Sequence, residues 1–317
     1  MELSGHFWTI APRLRHSFAP LAVGASRPFA LTVEDPDVGP VRLSGSLREA
    51  PAADELLFVV HGLGGCADSH YMLRADVAAE AAGLACLRLS FRGSDRRGED
   101  IYHAGLTADL HAVLAAPELA RYRRIYLLGY SVGGHVALRA ATEPADPRLA
   151  AVAAICAPLD IGLSSAAFDA PGLWLYRRYV IGNMQRIYAA VAARRPVPLP
   201  LADALSIRRL GDWDDRVVAP RFGFAGAADY YARASVHPLL PALRIPSLLA
   251  ASERDPMVPA AIVRAGLDRP APRLEVRWIE AGGHVAFPAG VDLGYAATRG
   301  LESQVIGWLR SQGAGGG

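Results

Sequence analysis

Cysteine is scarce in this chain of 317 residues, which has only Cys66, Cys86 and Cys156. Three cysteines cannot all pair with one another, and no C-x-x-C spacing is present. Cys86 and Cys156 fall inside apolar runs typical of strands, where a thiol behaves as a small buried hydrophobic group. This pattern argues against a disulfide-stapled scaffold and favours a reducing compartment, so we expect a cytoplasmic protein.

Long apolar segments are also missing. No apolar run reaches about 18 residues, which argues against a membrane-spanning helix. Residues 1–8 do not combine a basic region with a following apolar region, so we expect no secretory signal peptide. Any contact with a membrane is therefore expected to be peripheral.

Neither sign of charge dominates, since 33 basic residues face 31 acidic ones and the net charge is +2. The arginine pairs are scattered and no basic run is interleaved with aromatic residues, which argues against a nucleic-acid-binding protein. A hydrophobic content of 52% with 20% charged residues is enough for a sizeable core and excludes a disordered chain. We expect a small-molecule substrate as the partner, and the sequence does not indicate an oligomeric state.

Recognised cofactor and metal motifs are absent as well. Residues 129–134 lack the G-x-G-x-x-G spacing of a nicotinamide fingerprint. His61, His70, His103 and His111 do not follow H-E-x-x-H or another metal-binding spacing. We therefore expect neither a cofactor nor a metal.

What the chain does contain is a regular alternation of short apolar runs with helical patterns. This alternation predicts an α/β fold, with a mostly parallel sheet flanked by helices, and the first two strands are expected to form an antiparallel pair. The predicted strands are residues 29–33, 41–47, 56–61, 84–90, 124–129, 149–156, 247–251 and 274–280. The predicted helices are residues 69–82, 107–115, 131–142, 259–266 and about 299–311.

The alternation breaks between residues 160 and 245, a segment too long for a simple crossover. Apolar and aromatic residues recur there at near-helical spacing from Trp174 to Val191, and the prolines of 196–200 end that pattern. We interpret 160–245 as a helical cap inserted into a core formed by residues 1–159 and 246–312. The glycine-rich residues 313–317 are expected to form a frayed tail.

The most informative motif is Gly-Tyr-Ser-Val-Gly-Gly at residues 129–134. An apolar run predicted to be a strand precedes it, and a helical pattern follows. A strand, a sharp turn with serine at its apex and a helix form the nucleophile elbow of an α/β-hydrolase, in which small neighbours such as Gly129 and Gly133 let strand and helix approach. Ser131 is thus the candidate nucleophile. The alternative interpretation is an ordinary glycine-rich turn.

The other members of a catalytic triad are found in the chain order that this fold requires, serine, then acid, then histidine. Asp255 follows a predicted strand in a loop closed by proline and is the candidate acid, with Glu253 as the alternative. His284 lies in a glycine-rich loop after the last predicted strand. A serine hydroxyl needs an adjacent base to accept its proton, and the acid orients that base.

An oxyanion hole is expected from two backbone N–H groups. One is that of Val132, directly after the nucleophile, and the second should come from the loop that follows the 56–61 strand. That loop reads His-Gly-Leu-Gly-Gly, and Leu63 is the predicted donor because glycines surround it. His61 is expected to fix the loop by hydrogen bonds rather than to act as a base.

Beyond the elbow, further blocks occur in a fixed order over about residues 5–290. These blocks are residues 5–10, 61–65, 69–71, 91–93, 101–109, 213–215, 223–224, 229–235 and 282–284. In these blocks the chain resembles the YheT-like family of α/β-hydrolases, which is related to the mammalian hydrolases of the ABHD type. The resemblance implies the triad of Ser131, Asp255 and His284, and bracing roles for His103, Asp109 and Asp215.

The activity that this resemblance implies is hydrolysis of carboxylic esters with short- to medium-chain acyl groups, through an acyl-enzyme and without a cofactor. Two alternatives stay open. A thioesterase or lysophospholipase would use the same triad, because the leaving group contacts the cap rather than the elbow. A non-catalytic binding protein could also be built on this fold, although such proteins usually lose a triad member, and all three are present here.

Overall fold

A single eight-stranded sheet forms the centre of the molecule in a computed structural model that describes residues 3–313. The strands are β1 (Arg27–Asp35), β2 (Gly39–Arg48), β3 (Glu55–Val60), β4 (Ala85–Ser90), β5 (Arg124–Tyr130), β6 (Leu149–Ile155), β7 (Ser247–Ser252) and β8 (Leu274–Ile279). Their order in the sheet is β1-β2-β4-β3-β5-β6-β7-β8. The β1–β2 and β2–β4 pairs are antiparallel, and every other neighbouring pair is parallel.

Helices cover both faces of this sheet. They are α1 (Leu3–Phe18), α2 (His70–Ala81), α3 (Ala108–Leu114), α4 (Val132–Ala140), α5 (Ile161–Phe168), α6 (Trp174–Ala192), α7 (Leu201–Ser206), α8 (Leu210–Trp213), α9 (Ala219–Arg221), α10 (Ala227–Ala234), α11 (Ala260–Ala265) and α12 (Leu301–Gly313). A π turn at Asp214–Val218 joins α8 to α9. In the part of the chain that the structure describes, no helix is both long and apolar enough to cross a membrane.

The central strands β3, β5 and β6 are nearly continuous apolar runs because they are buried on both faces. Side chains alternate between the two sides of the sheet, and neighbouring residues therefore enter different cores. Phe58 of β3 and Leu127 of β5 belong to the core on one side, whereas Leu57 and Leu128 belong to the core on the other. Parallel strands place their carboxyl ends at one edge, and the loops after β3, β5, β7 and β8 meet there.

All eight predicted strands are present, with ends that differ by at most two residues. The structure adds one element that was not predicted and corrects one expectation. The sixteen-residue helix α1 is not among the predicted elements, because Gly5 and the internal Pro12 mask its helical pattern. Gly313 was predicted to begin a frayed tail, but it is the buried last residue of α12. It packs closely on β5, because a Cβ atom at this position would lie 2.6 Å from the Tyr126 hydroxyl. Residues 314–317 of that predicted tail lie outside the described residues.

Between β6 and β7 the chain forms helices α5 to α10, and the long apolar pattern predicted there corresponds to α6. This segment shares buried residues with the core on its side of the sheet, among them Phe168, Tyr188 and Trp213. Phe168 and Trp213 line the same cavity as Ser131. The helices of this segment therefore lie over the carboxyl edge of the strands.

Candidate active site

Ser131 occupies the sharp turn between β5 and α4. Its φ of 53° and ψ of −123° are a strained conformation for a residue with a side chain, and such strain is concentrated at functional sites. The turn depends on close backbone approach at two glycines. A Cβ atom on Gly129 would lie 2.2 Å from the Gly133 carbonyl oxygen, and one on Gly133 would lie 2.4 Å from the His61 carbonyl oxygen.

The structure brings Ser131, His284 and Asp255 together in the predicted arrangement. His284 Nε2 lies 2.9 Å from Ser131 Oγ, and His284 Nδ1 lies 2.8 Å from Asp255 Oδ2. Asp255 and His284 are 7% and 6% exposed, so the pair is shielded from water. Since a carboxylate only accepts, Nδ1 carries the proton and Nε2 is free to accept one from the serine hydroxyl.

The loop after β7 fixes the carboxylate of Asp255. Its Oδ1 accepts hydrogen bonds from the N–H groups of Met257 at 2.8 Å and Val258 at 2.9 Å, which leaves Oδ2 for the imidazole. Glu253, the alternative acid, instead forms an ion pair with Arg264. The geometry therefore favours Asp255.

The histidine loop is held from the far end of the sequence, by α1. The His284 N–H donates to Thr9 Oγ1 at 2.8 Å, and the Thr9 hydroxyl donates to the Gly5 carbonyl at 2.8 Å. The contact is close, because a Cβ on Gly283 would lie 2.3 Å from the Gly5 oxygen. Sequence reasoning missed Thr9, although residues 5–10 were among the family-like blocks.

The predicted oxyanion donors, Leu63 and Val132, both line the cavity that contains Ser131. Among residues 3–313 the structure records no hydrogen bond from either N–H, which leaves both available to a ligand. Val132 is also the first residue of α4, where the helix dipole favours negative charge. The geometry is thus compatible with an oxyanion hole between β3 and α4.

Three side chains hold the glycine loop after β3. The Gly62 N–H donates to the Tyr71 hydroxyl at 3.1 Å, and the Gly64 N–H donates to the Tyr102 hydroxyl at 2.7 Å. His61 Nδ1 lies 2.7 Å from the Gly62 carbonyl, and its Nε2 accepts from the Phe91 N–H. These bonds agree with the predicted bracing role of His61, and burial lowers its pKa to about 4, so the ring stays neutral.

A cavity of about 540 Å³ opens at the triad. The loops at the carboxyl edge of the sheet form the floor of the cavity. Helices α5, α6 and α8 cover it, and α1 passes beside it. Most of its lining is apolar, including Phe168, Val180, Met184 and Trp213. A cleft with an apolar lining and a few convergent polar groups is typical of a small-molecule site.

Comparison with known proteins agrees with this architecture. Residues 56–293 match the model of the "Alpha/beta hydrolase family". The candidate esterase YheT of Escherichia coli (strain K12) is 30% identical to this chain over 319 residues, covering 96% of the chain and 89% of the relative. The chain belongs to the alpha/beta hydrolase family. Within it, the chain groups with YheT, as its sequence blocks predicted.

Two further similarities concern other members. The medium-chain fatty acid ethyl ester synthase/esterase 2 of Saccharomyces cerevisiae is 26% identical over 267 residues, covering 73% of this chain and 58% of the relative. The structure of an esterase from Pyrococcus furiosus superposes with a TM-score of 0.53 at 18% identity, covering 84% of this chain and 90% of that one. At that identity the structural likeness concerns the fold alone.

Three further residues, for which bracing roles are expected, make contacts outside the triad. Asp109 forms a bidentate ion pair with Arg92, at 2.9 and 2.5 Å. His103 packs against Phe222 with ring centroids 4.4 Å apart, and Asp215 accepts the Ala227 N–H at the start of α10.

One group of potential metal ligands lies in the described part of this hydrolase. Cys156, Asp255 and His284 offer ligand atoms within 4.8 Å of one another. The donor set does not suit a metal, because Asp255 and both ring nitrogens of His284 are already in the hydrogen bonds described above. Burial also raises the pKa of the Cys156 thiol well above its usual range, which disfavours the thiolate that binds metals.

A buried carboxyl group in the π turn also lines the cavity, and sequence reasoning did not single it out. Asp214 Oδ2 accepts a hydrogen bond from the Tyr231 hydroxyl at 2.9 Å, and that hydroxyl lies 2.9 Å from Ser165 Oγ. Burial, with a smaller contribution from the charge of Asp169, raises the pKa of Asp214 to about 8. Asp214 is therefore a largely neutral polar group in an apolar surrounding at pH 7.

Proposed function

We propose that this carboxylic-ester hydrolase of the alpha/beta hydrolase family cleaves short- to medium-chain acyl esters through an acyl-enzyme formed on Ser131. The observation that carries the proposal is the hydrogen-bonded series from Ser131 through His284 to Asp255, at the edge of a largely apolar cavity. The name of the yeast relative supports acyl groups of medium length.

In the first half-reaction Ser131 Oγ attacks the ester carbonyl carbon, and its proton passes to His284 Nε2. Asp255 stabilises the imidazolium that forms and keeps Nδ1 protonated. The N–H groups of Leu63 and Val132 stabilise the oxyanion, and loss of one such donor typically costs about 10²–10³ in kcat. When the tetrahedral intermediate collapses, the alcohol leaves with the proton from His284.

In the second half-reaction a water molecule gives a proton to His284 Nε2 and attacks the acyl carbon. Collapse returns the proton to Ser131 Oγ and releases the carboxylic acid. Every proton and bond is accounted for by the three side chains, the ester and water, so the proposed mechanism needs no metal or cofactor.

The segment 160–245 is proposed as the cap that shapes the acyl pocket. The cavity residues Phe168, Val180, Met184 and Trp213 support this assignment, since all four come from that segment. All three cysteines are free thiols, which supports the proposal of a cytoplasmic enzyme.

The proposal is tested with a series of p-nitrophenyl esters from acetate to palmitate. We expect an optimum at short or medium chain length and a loss of about 10⁴-fold or more in kcat for Ser131→Ala. Glu253→Gln is the matched control and should retain the wild-type rate. Equal, weak rates for wild type and Ser131→Ala would remove Ser131 from the mechanism.

A fluorophosphonate probe separates the enzyme from a hydrolase-fold binding protein. We expect labelling of the wild type at Ser131 and none of Ser131→Ala, because only an activated serine reacts. An unlabelled wild type would point to a binding role.

A further inference from the structure

Exposed apolar side chains are concentrated at one place on this hydrolase. Ten large hydrophobic residues are exposed among the described residues, and six of them lie on α1 and the first two turns of α6. We refer to these six as the mouth rim: Phe7, Leu14, Phe18, Trp174, Leu175 and Tyr179. Phe18 is 88% exposed and Trp174 is 57% exposed, although aromatic side chains of this size are usually well buried.

Helical spacing aligns the rim residues on one side of each helix. Phe7, Leu14 and Phe18 are separated by seven and then four residues and form a stripe along α1. The opposite side of α1 carries Gly5 and Thr9, which contact the histidine loop. The rim stripe is thus the face of α1 that points away from the histidine loop.

The two helices meet beside the opening of the cavity. The Arg13 guanidinium lies 3.7 Å from the centre of the Tyr179 ring, and His6 Nδ1 lies 2.7 Å from the Tyr176 hydroxyl. Leu14, Leu175 and Tyr179 are rim residues that also line the cavity. The rim therefore borders the route by which a substrate reaches Ser131.

The charged side chains of the two rim helices are all basic. Neither α1 nor α6 contains an aspartate or a glutamate, whereas together they carry five arginines. Arg15 and Arg178 are exposed beside the rim residues. Burial, with smaller contributions from His16, Arg13 and Arg74, lowers the pKa of the cavity-lining His70 to about 4. One exposed acidic residue, Asp68, also lines the cavity, where it contacts Arg88 at 3.0 Å.

We propose that the mouth rim docks this hydrolase on the surface of an anionic lipid bilayer, with the cavity opening facing the lipid. Leucine and phenylalanine would enter the boundary between headgroups and acyl chains, Trp174 and Tyr179 would lie at the interface, and the flanking arginines would pair with anionic headgroups. Docking would let an apolar ester enter the cavity without crossing water.

The charge pattern favours a bilayer over a protein partner or a second copy. In a two-fold dimer the rims of two copies would face each other. The arginines of α1 and α6 in one copy would then lie close to those of the other copy, and like charges at an interface are unfavourable. An anionic bilayer instead supplies negative charge over the whole area and has no fixed shape that the rim must match.

Docking is tested on full-length Ser131→Ala, which cannot turn over lipid by the proposed route, so the result does not depend on the proposed activity. Co-sedimentation with phosphatidylcholine vesicles containing roughly one-third phosphatidylglycerol should show binding that weakens as salt is raised. Phe18→Ser/Trp174→Ser should weaken binding by about tenfold or more, and Arg15→Gln/Arg178→Gln by about tenfold. None of these four positions lines the cavity.

Matched controls use exposed residues away from the rim. Leu201→Ser/Leu205→Ser removes two exposed apolar side chains, and Arg269→Gln/Arg299→Gln removes two exposed charges. Both should bind like the parent protein. As a local readout, brominated lipid should quench tryptophan fluorescence, and Trp174→Phe should lose part of that quenching while it still binds, because Trp8 lies beside Phe7 of the rim.

The proposal is overturned if the parent protein does not bind anionic vesicles, or if the rim variants bind as well as the controls. It is also overturned if sedimentation velocity shows a dimer that Phe18→Ser/Trp174→Ser dissociates, because the rim would then be covered by a second copy. The same rim substitutions are also made in a protein that keeps Ser131. These variants should hydrolyse soluble p-nitrophenyl acetate at the wild-type rate, which would show that they are folded.

Discussion

At the scale of single residues, the Thr9 hydroxyl of α1 holds the backbone of the histidine loop by accepting the His284 N–H. Ser131, Asp255 and His284 each follow a recognisable strand and occur in the order that the fold requires. Thr9 could not be assigned in this way, because its bond to His284 joins residues 275 positions apart in sequence. Such a contact exists only after α1 has packed on the histidine loop.

Thr9 is proposed as a positioning residue for His284. Thr9→Val removes the acceptor of the His284 N–H, and a buried donor without a partner costs about 1–3 kcal/mol. If the loop relaxes to regain a partner, the imidazole shifts, so we expect kcat for p-nitrophenyl esters to fall roughly threefold to tenfold with KM little changed. Thr9→Ser keeps the hydroxyl and should restore kcat. A Thr9→Val protein with a lower Tm and an unchanged kcat would show that Thr9 stabilises the fold only.

At the scale of elements, apolar periodicity predicted the strands and α6, since burial on one or two faces leaves a clear pattern. It did not predict α1, which contains Gly5 and Pro12, or the π turn at Asp214–Val218. The π turn has no local sequence signal. It is accompanied by tertiary contacts, above all the bond between Asp214 and Tyr231.

The buried carboxyl group in the π turn is expected to make stability depend on pH. With the pKa of Asp214 raised to about 8, the folded protein holds a proton that the unfolded chain releases near pH 4. The unfolded state then binds fewer protons between these values, so this group lowers stability as pH rises from about 4 to 8. Asp214→Asn is neutral throughout and should become progressively more stable than wild type across that window.

Urea unfolding at several pH values measures this difference. Asp212→Asn, which changes an exposed carboxylate of α8 outside the π turn, is the control. Parallel curves for Asp214→Asn and wild type would contradict a proton held by Asp214.

At the scale of the whole molecule, the alternation of strands and helices gave the α/β architecture, but not how segment 160–245 is fastened to the rest. A buried network of ion pairs connects segment 160–245 to β1 and to the loop after β4. Arg221 of α9 pairs with Asp35 of β1 at 3.1 Å and with Asp100 at 2.6 Å, and Arg92 pairs with the same two carboxylates. Because its members are far apart in sequence and charged residues usually lie at the surface, sequence alone could not reveal the network.

Arg221→Ala should destabilise the protein by about 3 kcal/mol. The substitution removes one of the two arginines whose positive charge balances the negative charges of Asp35 and Asp100. Thermal unfolding measures the change, and limited proteolysis should show faster cleavage between residues 160 and 245. Arg233→Ala is the control, because its pair with Asp229 is exposed and surface pairs contribute at most about 1 kcal/mol. Equal losses in the two variants would show that the Arg221 pairs are no stronger than surface ones.

The position of α1 also bears on how a smaller version of this enzyme could be designed. A polypeptide trimmed to the family-matched residues 56–293 would keep Ser131, Asp255 and His284, so a search for catalytic residues would judge it complete. It would nevertheless lack the hydroxyl that holds the histidine loop and one side of the substrate entrance, both of which come from the first eighteen residues. Affinity tags and immobilisation linkers are therefore better attached after α12 than ahead of α1.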